Sequence, residues 1–196
     1  VKGFASDCFE GWDAVAKTLK QAIEQSEGST KMVVLETYQG VYYNDLKNSL
    51  QDVLQPDYLV DTYELFKAET EIRDMTYPYV TDHRIFGYLS KLDMIDYFDP
   101  RKLEQAKKDI DAQNGSLVLI YGYGASCVSD DADLFIYADM ARWEIQRRMR
   151  MNQVNNLGVN NFQEDTEAQY KRGYFVDWRV CDKLKKKIFH RWDYML

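Results

Sequence analysis

Arg142, Arg147, Arg148 and Arg150 crowd one short stretch of the sequence. In a helix, Arg147 and Arg150 share a face, as do Asp139 and Arg142. Guanidinium groups on one face can grip a phosphate through paired hydrogen bonds. The same spacing also describes a solvated helix with local ion pairs. Asp61 follows the apolar run Tyr58-Leu59-Val60; a carboxylate there can act as a general base or can cap a turn. Tyr42 and Tyr43 offer rings to stack on a base or sugar, or bulk to fill a pocket. Lys183, Lys185, Lys186 and Lys187 form a basic run whose plainer meaning is a solvated helical face. His83, between Asp82 and Arg84, suits a surface or capping role. Cys127 has no histidine near it in sequence and reads as a packing residue rather than a nucleophile.

Composition narrows what these residues can serve. The chain has 196 residues, 45% apolar, 14% aromatic and 29% charged, with a net charge of −7. That length suits one domain over 1–196 with a single large core, and the aromatic content excludes a disordered chain. An acidic chain lacks the basic face that nucleic acid requires. No apolar run approaches the ~20 residues needed to span a bilayer, so no membrane partner is expected. Cys8, Cys127 and Cys181 are odd in number and far apart. They form no disulfide framework and no zinc-ribbon spacing, and a reducing, cytoplasmic setting is expected. Only two histidines, His83 and His190, are present, so no metal site is expected. The chain lacks an initiator Met and a basic-then-apolar leader. The reading is of a piece of a longer protein that stops inside an amphipathic helix.

The elements that would position the candidates follow from periodicity. Phe9, Trp12, Ala16, Leu19 and Ile23 lie on one helical stripe. Met32-Val33-Val34-Leu35, Tyr58-Leu59-Val60, Leu117-Val118-Leu119-Ile120-Tyr121 and Leu134-Phe135-Ile136-Tyr137 read as buried parallel strands. Helices are expected over 45–54, 64–74, 84–92, 100–113, 141–151, 164–171 and 180–194. Tyr77-Pro78 is expected to break the third helical stretch, because the residue before proline avoids the helical region. Asp99-Pro100 opens the next, with Asp at the cap and Pro in the first turn. Residues 152–161, polar and Asn-rich, read as a mobile loop. Strands alternating with helices predict a three-layer α/β domain with a mostly parallel sheet. In such sheets ligands bind beyond the carboxyl ends of the strands. That rule selects residues 37–44, 61–63 and 121–126, with the arginine-bearing helix beside them.

Here the residues carry a resemblance. The strand, loop and helix over Met32–Leu50, the turn Asp61-Thr62-Tyr63, the strand Leu117–Gly122 and the strand Asp133–Asp139 followed by Arg147-Arg148-Met149-Arg150 resemble, in order, the P-loop nucleoside and sugar kinases. The resemblance covers Lys31 to about Gly173 and implies a P-loop kinase-like fold. That family's phosphate loop is G-x-x-x-x-G-K-[ST], whose glycines curl around phosphates and whose lysine neutralises them. The aligned residues are Thr37-Tyr38-Gln39-Gly40-Val41-Tyr42-Tyr43-Asn44. Thr37 and Tyr42 replace the glycines, Tyr43 the lysine and Asn44 the metal-binding hydroxyl. Tyr121 stands where the family has an acidic residue. Phosphoryl transfer rests on charge stabilisation and positioning, so the expectation is a degenerate P-loop without catalytic residues, metal or cofactor. A phosphorylated sugar or nucleotide, if bound, is expected at Asp61 with Arg142, Arg147 and Arg150.

A narrower resemblance is carried by Tyr170–Arg179 and Ile120–Ala125. These segments look like the amino-terminal, kinase-like extension of long bacterial class I mannose-6-phosphate isomerases. It implies a non-catalytic accessory or assembly domain beside a downstream cupin domain that would hold the isomerase centre. The 15 tyrosines add the expectation of a protein-facing surface and a homo-oligomer, such as a homodimer. The alternative is a divergent small-molecule kinase acting on a sugar or nucleoside.

Overall fold

The computed structural model describes residue 3 and residues 7–196. The alternation of apolar runs and amphipathic stretches resolves into α1 (Trp12–Gln25), β1 (Lys31–Thr37), α2 (Tyr43–Leu54), β2 (Tyr58–Asp61), α3 (Glu69–Val80) and α4 (Pro100–Asp111). The second half supplies β3 (Leu117–Gly122), α5 (Ala125–Val128), β4 (Leu134–Ala138), α6 (Arg142–Arg150), α7 (Thr166–Arg172), α8 (Trp178–Ile188) and β5 (Tyr194–Met195). All five strands are parallel, in the order β2-β3-β1-β4-β5. The continuous apolar strands are buried on both faces, as parallel strands between helical layers must be. Val33, Leu35, Leu119 and Ile136 pack against Leu19 of α1 and Leu50 and Leu54 of α2. Val34, Ile120 and Phe135 pack on the opposite face with Ile72, Ile110, Met149 and Trp178. The three-layer α/β architecture is as expected, and no helix of the described residues is long and apolar enough to cross a membrane.

The local signals behave unevenly. Asp99 caps α4 by accepting from the amides of Arg101 at 2.8 Å and Lys102 at 3.2 Å, as its place before Pro100 predicts. Pro78, by contrast, lies inside α3. It sits in the last turn, where one missing donor is tolerated, and Thr81 N–H still reaches the Tyr77 carbonyl at 2.8 Å. The stretch expected as a helix over 84–92 has no regular secondary structure. Two of its backbone donors are spent on other elements, Tyr88 N–H on Tyr79 and Ser90 N–H on Phe175. The helix expected to run to 194 stops at Ile188, and Tyr194 and Met195 instead pair beside Ile136 and Tyr137 as a fifth strand.

Residues 152–161 are not a loose surface loop. Val154, Asn156, Leu157, Val159 and Asn161 are buried. A turn of π-helix at Gly173–Asp177 separates α7 from α8 and leaves Asp177 wholly inside. Asp177 accepts from Asn156 Nδ2 at 2.6 Å and from Leu157 N–H at 3.2 Å. Asn161 Nδ2 in turn donates to Asn156 Oδ1 at 2.9 Å. Polar residues fold this segment inward because a buried carboxylate needs donors.

A second buried carboxylate fixes the carboxyl edge of the sheet. Glu36, near the end of β1, accepts from Gly124 N–H at 2.6 Å, Ser126 N–H at 3.0 Å and Ser126 Oγ at 2.8 Å. It thereby joins the central strand to the segment leaving β3. Burial pushes its carboxyl up to about 7 against those three donors. The folded state therefore holds a proton that the unfolded chain releases above about 4.5. Stability from this group is complete below that value and is lost as pH rises to about 7. Burial pushes Asp177 in the same direction. Denaturant titrations from pH 4.5 to 7.5 should show stability falling with pH, and Glu36→Gln should flatten much of that slope, whatever its effect on absolute stability.

Candidate functional site

β1 is the strand on either side of which the sheet order departs in opposite directions, and ligands in such sheets sit outside the carboxyl ends near that point. In register, Asp61 stands beside Tyr121, and Tyr121 beside Leu35. The loop 38–42 leaves the carboxyl end of β1. It is filled and fastened. Tyr38 donates its hydroxyl to Asp182 at 2.8 Å. Gln39 is wholly buried, donating to the Asn155 carbonyl at 2.7 Å and accepting from Trp178 Nε1 at 2.9 Å. Gly40 has φ +95°, and a Cβ there would lie 2.6 Å from Ile145 of α6. Its carbonyl accepts from Arg148 at 2.8 Å. The Arg148 guanidinium lies 3.7 Å over the Tyr42 ring, a cation–π arrangement.

Tyr43 opens α2 with its ring turned inward. It stacks on Tyr123 at 4.9 Å and meets Tyr121 edge-on at 4.8 Å. Its hydroxyl donates to Asp61 Oδ1 at 2.5 Å. Lys47 donates to Asp61 Oδ2 at 2.7 Å, and Tyr63 N–H to Oδ1 at 3.0 Å. Burial and the adjacent Asp61 carboxylate push the Tyr43 phenol well up, so it stays a donor. Asp61 thus caps a short 3-10 turn at Thr62–Leu65 and also anchors Tyr43 and Lys47. Above this group opens a cleft of about 540 Å3, lined by Tyr42, Tyr43, Tyr63, Tyr123, Asp61, Gln153, Asn155, Asn156 and Asn160 among others. Its surfaces are aromatic faces, amides and the carboxylates of Asp45, Asp61 and Glu64. Lys47, the one cation among its lining residues, is already engaged on Asp61.

The arginines expected beside Asp61 lie elsewhere, and none of Arg142, Arg147 and Arg150 lines this cleft. Arg142 pairs with Asp182 and lies over Trp178. Arg147 makes two bonds of 2.7 Å to Glu144, and Arg148 adds a third at 2.8 Å. These donors pull the Glu144 carboxyl down to about 2. Arg150 borders a different groove. The stretch is a set of local ion pairs with one inward member, Arg148. Thr37 and Asn44 flank the loop without joining its fastening; Thr37 is buried, and Asn44 is on the cleft rim.

The remaining candidates have structural roles. His83 Nδ1 accepts from Ile85 N–H at 3.1 Å and Phe86 N–H at 3.0 Å, a capping arrangement. Lys183 and Lys187 pair with Asp93, and Lys185 with Asp139. Burial pushes the Cys127 thiol up to about 12, which leaves no reactive thiolate. Sequence reasoning missed Glu36, Lys47 and the Asn156–Asp177 contact, and it named Arg148 only as a member of a phosphate clamp. Lys47 carried a findable signal, since it falls one helical turn after Tyr43. Glu36 carried another, as a lone carboxylate inside an apolar strand.

Comparison places this geometry among known proteins. A family model described as "Domain of unknown function (DUF8485)" matches residues 11–196. No curated protein matches the sequence. Among solved structures, the chain is similar to a "putative fructose transport system kinase" from Silicibacter sp. TM1040, with a TM-score of 0.61 and 12% identity. That similarity covers 96% of this chain and 100% of the other. At that identity the likeness is one of fold, and it supports the kinase-like reading of the layout.

Arg147 and Arg148 adjoin in sequence but do different work, and they separate in a stability measurement. Arg148→Met removes the Gly40 and Glu144 bonds and the stack on Tyr42, and should cost about 2 kcal/mol. Arg147→Met removes an exposed pair and a contact to Met151 and should cost clearly less. Urea unfolding of the two variants checks the order.

Proposed function

We propose that this chain, which belongs to the DUF8485 family, is a ligand-binding module of kinase-like fold that does not transfer phosphate. The observation that carries the reading is Tyr43. It stands where the resembled family has its phosphate-binding lysine, and its ring is stacked inside with the hydroxyl on Asp61 at 2.5 Å. The loop before it is also closed. Gly40 touches Ile145, and its carbonyl is held by Arg148. A triphosphate needs a free cation, and the one cation lining this edge, Lys47, is already on Asp61.

The cleft above Asp61 suits a neutral, polyhydroxylated molecule such as a sugar or a nucleoside. Tyr63 and Tyr123 give flat apolar faces, while Asn155, Asn160 and Gln153 bring side-chain amides. A phosphorylated ligand would find the one lining cation already paired. The accessory role beside a mannose-6-phosphate isomerase rests only on the resemblance of Tyr170–Arg179 and Ile120–Ala125. In the fold those segments form the α7–α8 turn and the exit of β3, so the role stands as a proposal about context, not about this cleft.

A second reading is kept for one observation. A structural neighbour is described as a "putative fructose transport system kinase", and Asp61 at the end of β2 is a carboxylate lining the cleft. A divergent sugar kinase would need Asp61 freed from Lys47 and Tyr43.

Calorimetry separates the two. Mg-ATP should give no binding heat, alone or with fructose or mannose. Fructose, mannose or uridine should raise the melting temperature. Tyr63→Ala, which removes a half-exposed ring, should weaken that binding about tenfold. Transfer of phosphate from ATP to any of the three would overturn the binding-module reading in favour of the kinase.

A further inference from the structure

A second groove, of about 910 Å3, shares no residue with the Asp61 cleft. It runs between α6, α7, the π-turn and the irregular segment after α3. Ile85, Phe86, Met149, Tyr170, Tyr174 and Phe175 form its apolar wall. Ile85 and Phe86 are 63% and 66% exposed, an unusual state for side chains whose burial is worth about 1.5–3 kcal/mol each. The wall is built rather than floppy. Tyr88 N–H bonds Tyr79 at 2.8 Å, and Ser90 N–H bonds Phe175 at 2.7 Å. Gly87 runs so close that a Cβ would lie 2.3 Å from the Tyr79 carbonyl.

The groove's charges are informative. Arg84 is held by Glu167 at 2.8 Å. Lys171 Nζ is held by the carbonyls of Thr81 and His83. Arg150 has no partner among the described residues. An apolar trough of ligand size with one uncommitted guanidinium matches an apolar body carrying one negative charge. A polyanion fits poorly on a chain of net charge −7. A second copy of this chain fits poorly as well. A two-fold contact would set Arg150 against the same patch, whose carboxylate, Glu167, already serves Arg84.

We propose that this groove binds a single-chain organic acid, with its hydrocarbon along Phe86, Tyr170, Tyr174 and Phe175 and its carboxylate on Arg150. The site stands independently of the function proposed for the Asp61 cleft.

The test compares two soluble amphiphiles of one chain length, decanoate and decyltrimethylammonium, below their micelle concentrations. Calorimetry should show decanoate bound one to one. The cationic analogue should bind at least about fivefold more weakly. Arg150→Gln should bring the two affinities together, and Phe86→Ser should weaken both. Both side chains are exposed, so circular dichroism should show both variants folded. Absence of decanoate binding, equal affinities in the wild type, or an Arg150→Gln variant that still discriminates would overturn the proposal. So would sedimentation showing a dimer that Phe86→Ser dissolves, which would assign the face to a second copy.

Discussion

The close approach of α6 to the loop leaving β1 is the constraint on which the carboxyl edge is built. Gly40 at φ +95° leaves no room for a Cβ against Ile145. Around that contact, each neighbour in the loop holds something distant in sequence. Tyr38 binds Asp182, Gln39 binds Asn155 and Trp178, and the Gly40 carbonyl binds Arg148. In a phosphate-binding loop the same backbone would face an anion. Here it fastens the first half of the chain to the second. The exchange is physically coherent. Removing the ligand's charge leaves polar backbone and a void at the edge of a parallel sheet. Both must be satisfied from within, by aromatic rings that fill and side chains that bond.

The same logic applies one strand over. Tyr43 takes the space beneath the cleft, and Asp61 gathers Tyr43, Lys47 and the Tyr63 amide into one group. Glu36 does the equivalent between β1 and the exit of β3, at the cost of a proton held to about pH 7. Three buried or half-buried carboxylates, Glu36, Asp61 and Asp177, thus organise the edge. Each is surrounded by donors, and of the three only Asp61 has a cation at close range, Lys47 at 2.7 Å.

The layered fold was legible because parallel strands buried on both faces must be continuous apolar runs, and β1, β3 and β4 are written that way. Departures arose where tertiary partners outcompeted local signals. Residues 84–92 have helical spacing, yet two of their amides bond Tyr79 and Phe175, which no local pattern encodes. Pro78 breaks a helix only when a further turn is needed, and α3 ends two residues later. The Asn-rich stretch looked like solvent-facing loop because its partner, Asp177, lies on another element and is turned inward by a π-turn. At the site, Thr37, Tyr42 and Tyr43 were readable as bulky residues at the positions where the resembled kinases have glycines and a lysine. What those residues do instead was not, because Asp61, Arg148 and Ile145 meet them only through the fold.

The arginine stretch shows how one helix carries two unrelated surfaces. Ile145 and Arg148 are three residues apart and face the β1 loop. Gln146, Met149 and Arg150 are spaced by three and four and border the apolar groove. Sequence spacing alone paired Arg147 with Arg150, since it counts turns without knowing which side the protein lies on. Glu144 settles the matter by drawing Arg147 and Arg148 toward itself and leaving Arg150 alone on the other side. Shared position on a helix is not energetic coupling between the two clefts. It does mean that the groove's cation can be changed without touching the clasp on Gly40, because Arg150 makes no bond that the fold of the loop requires.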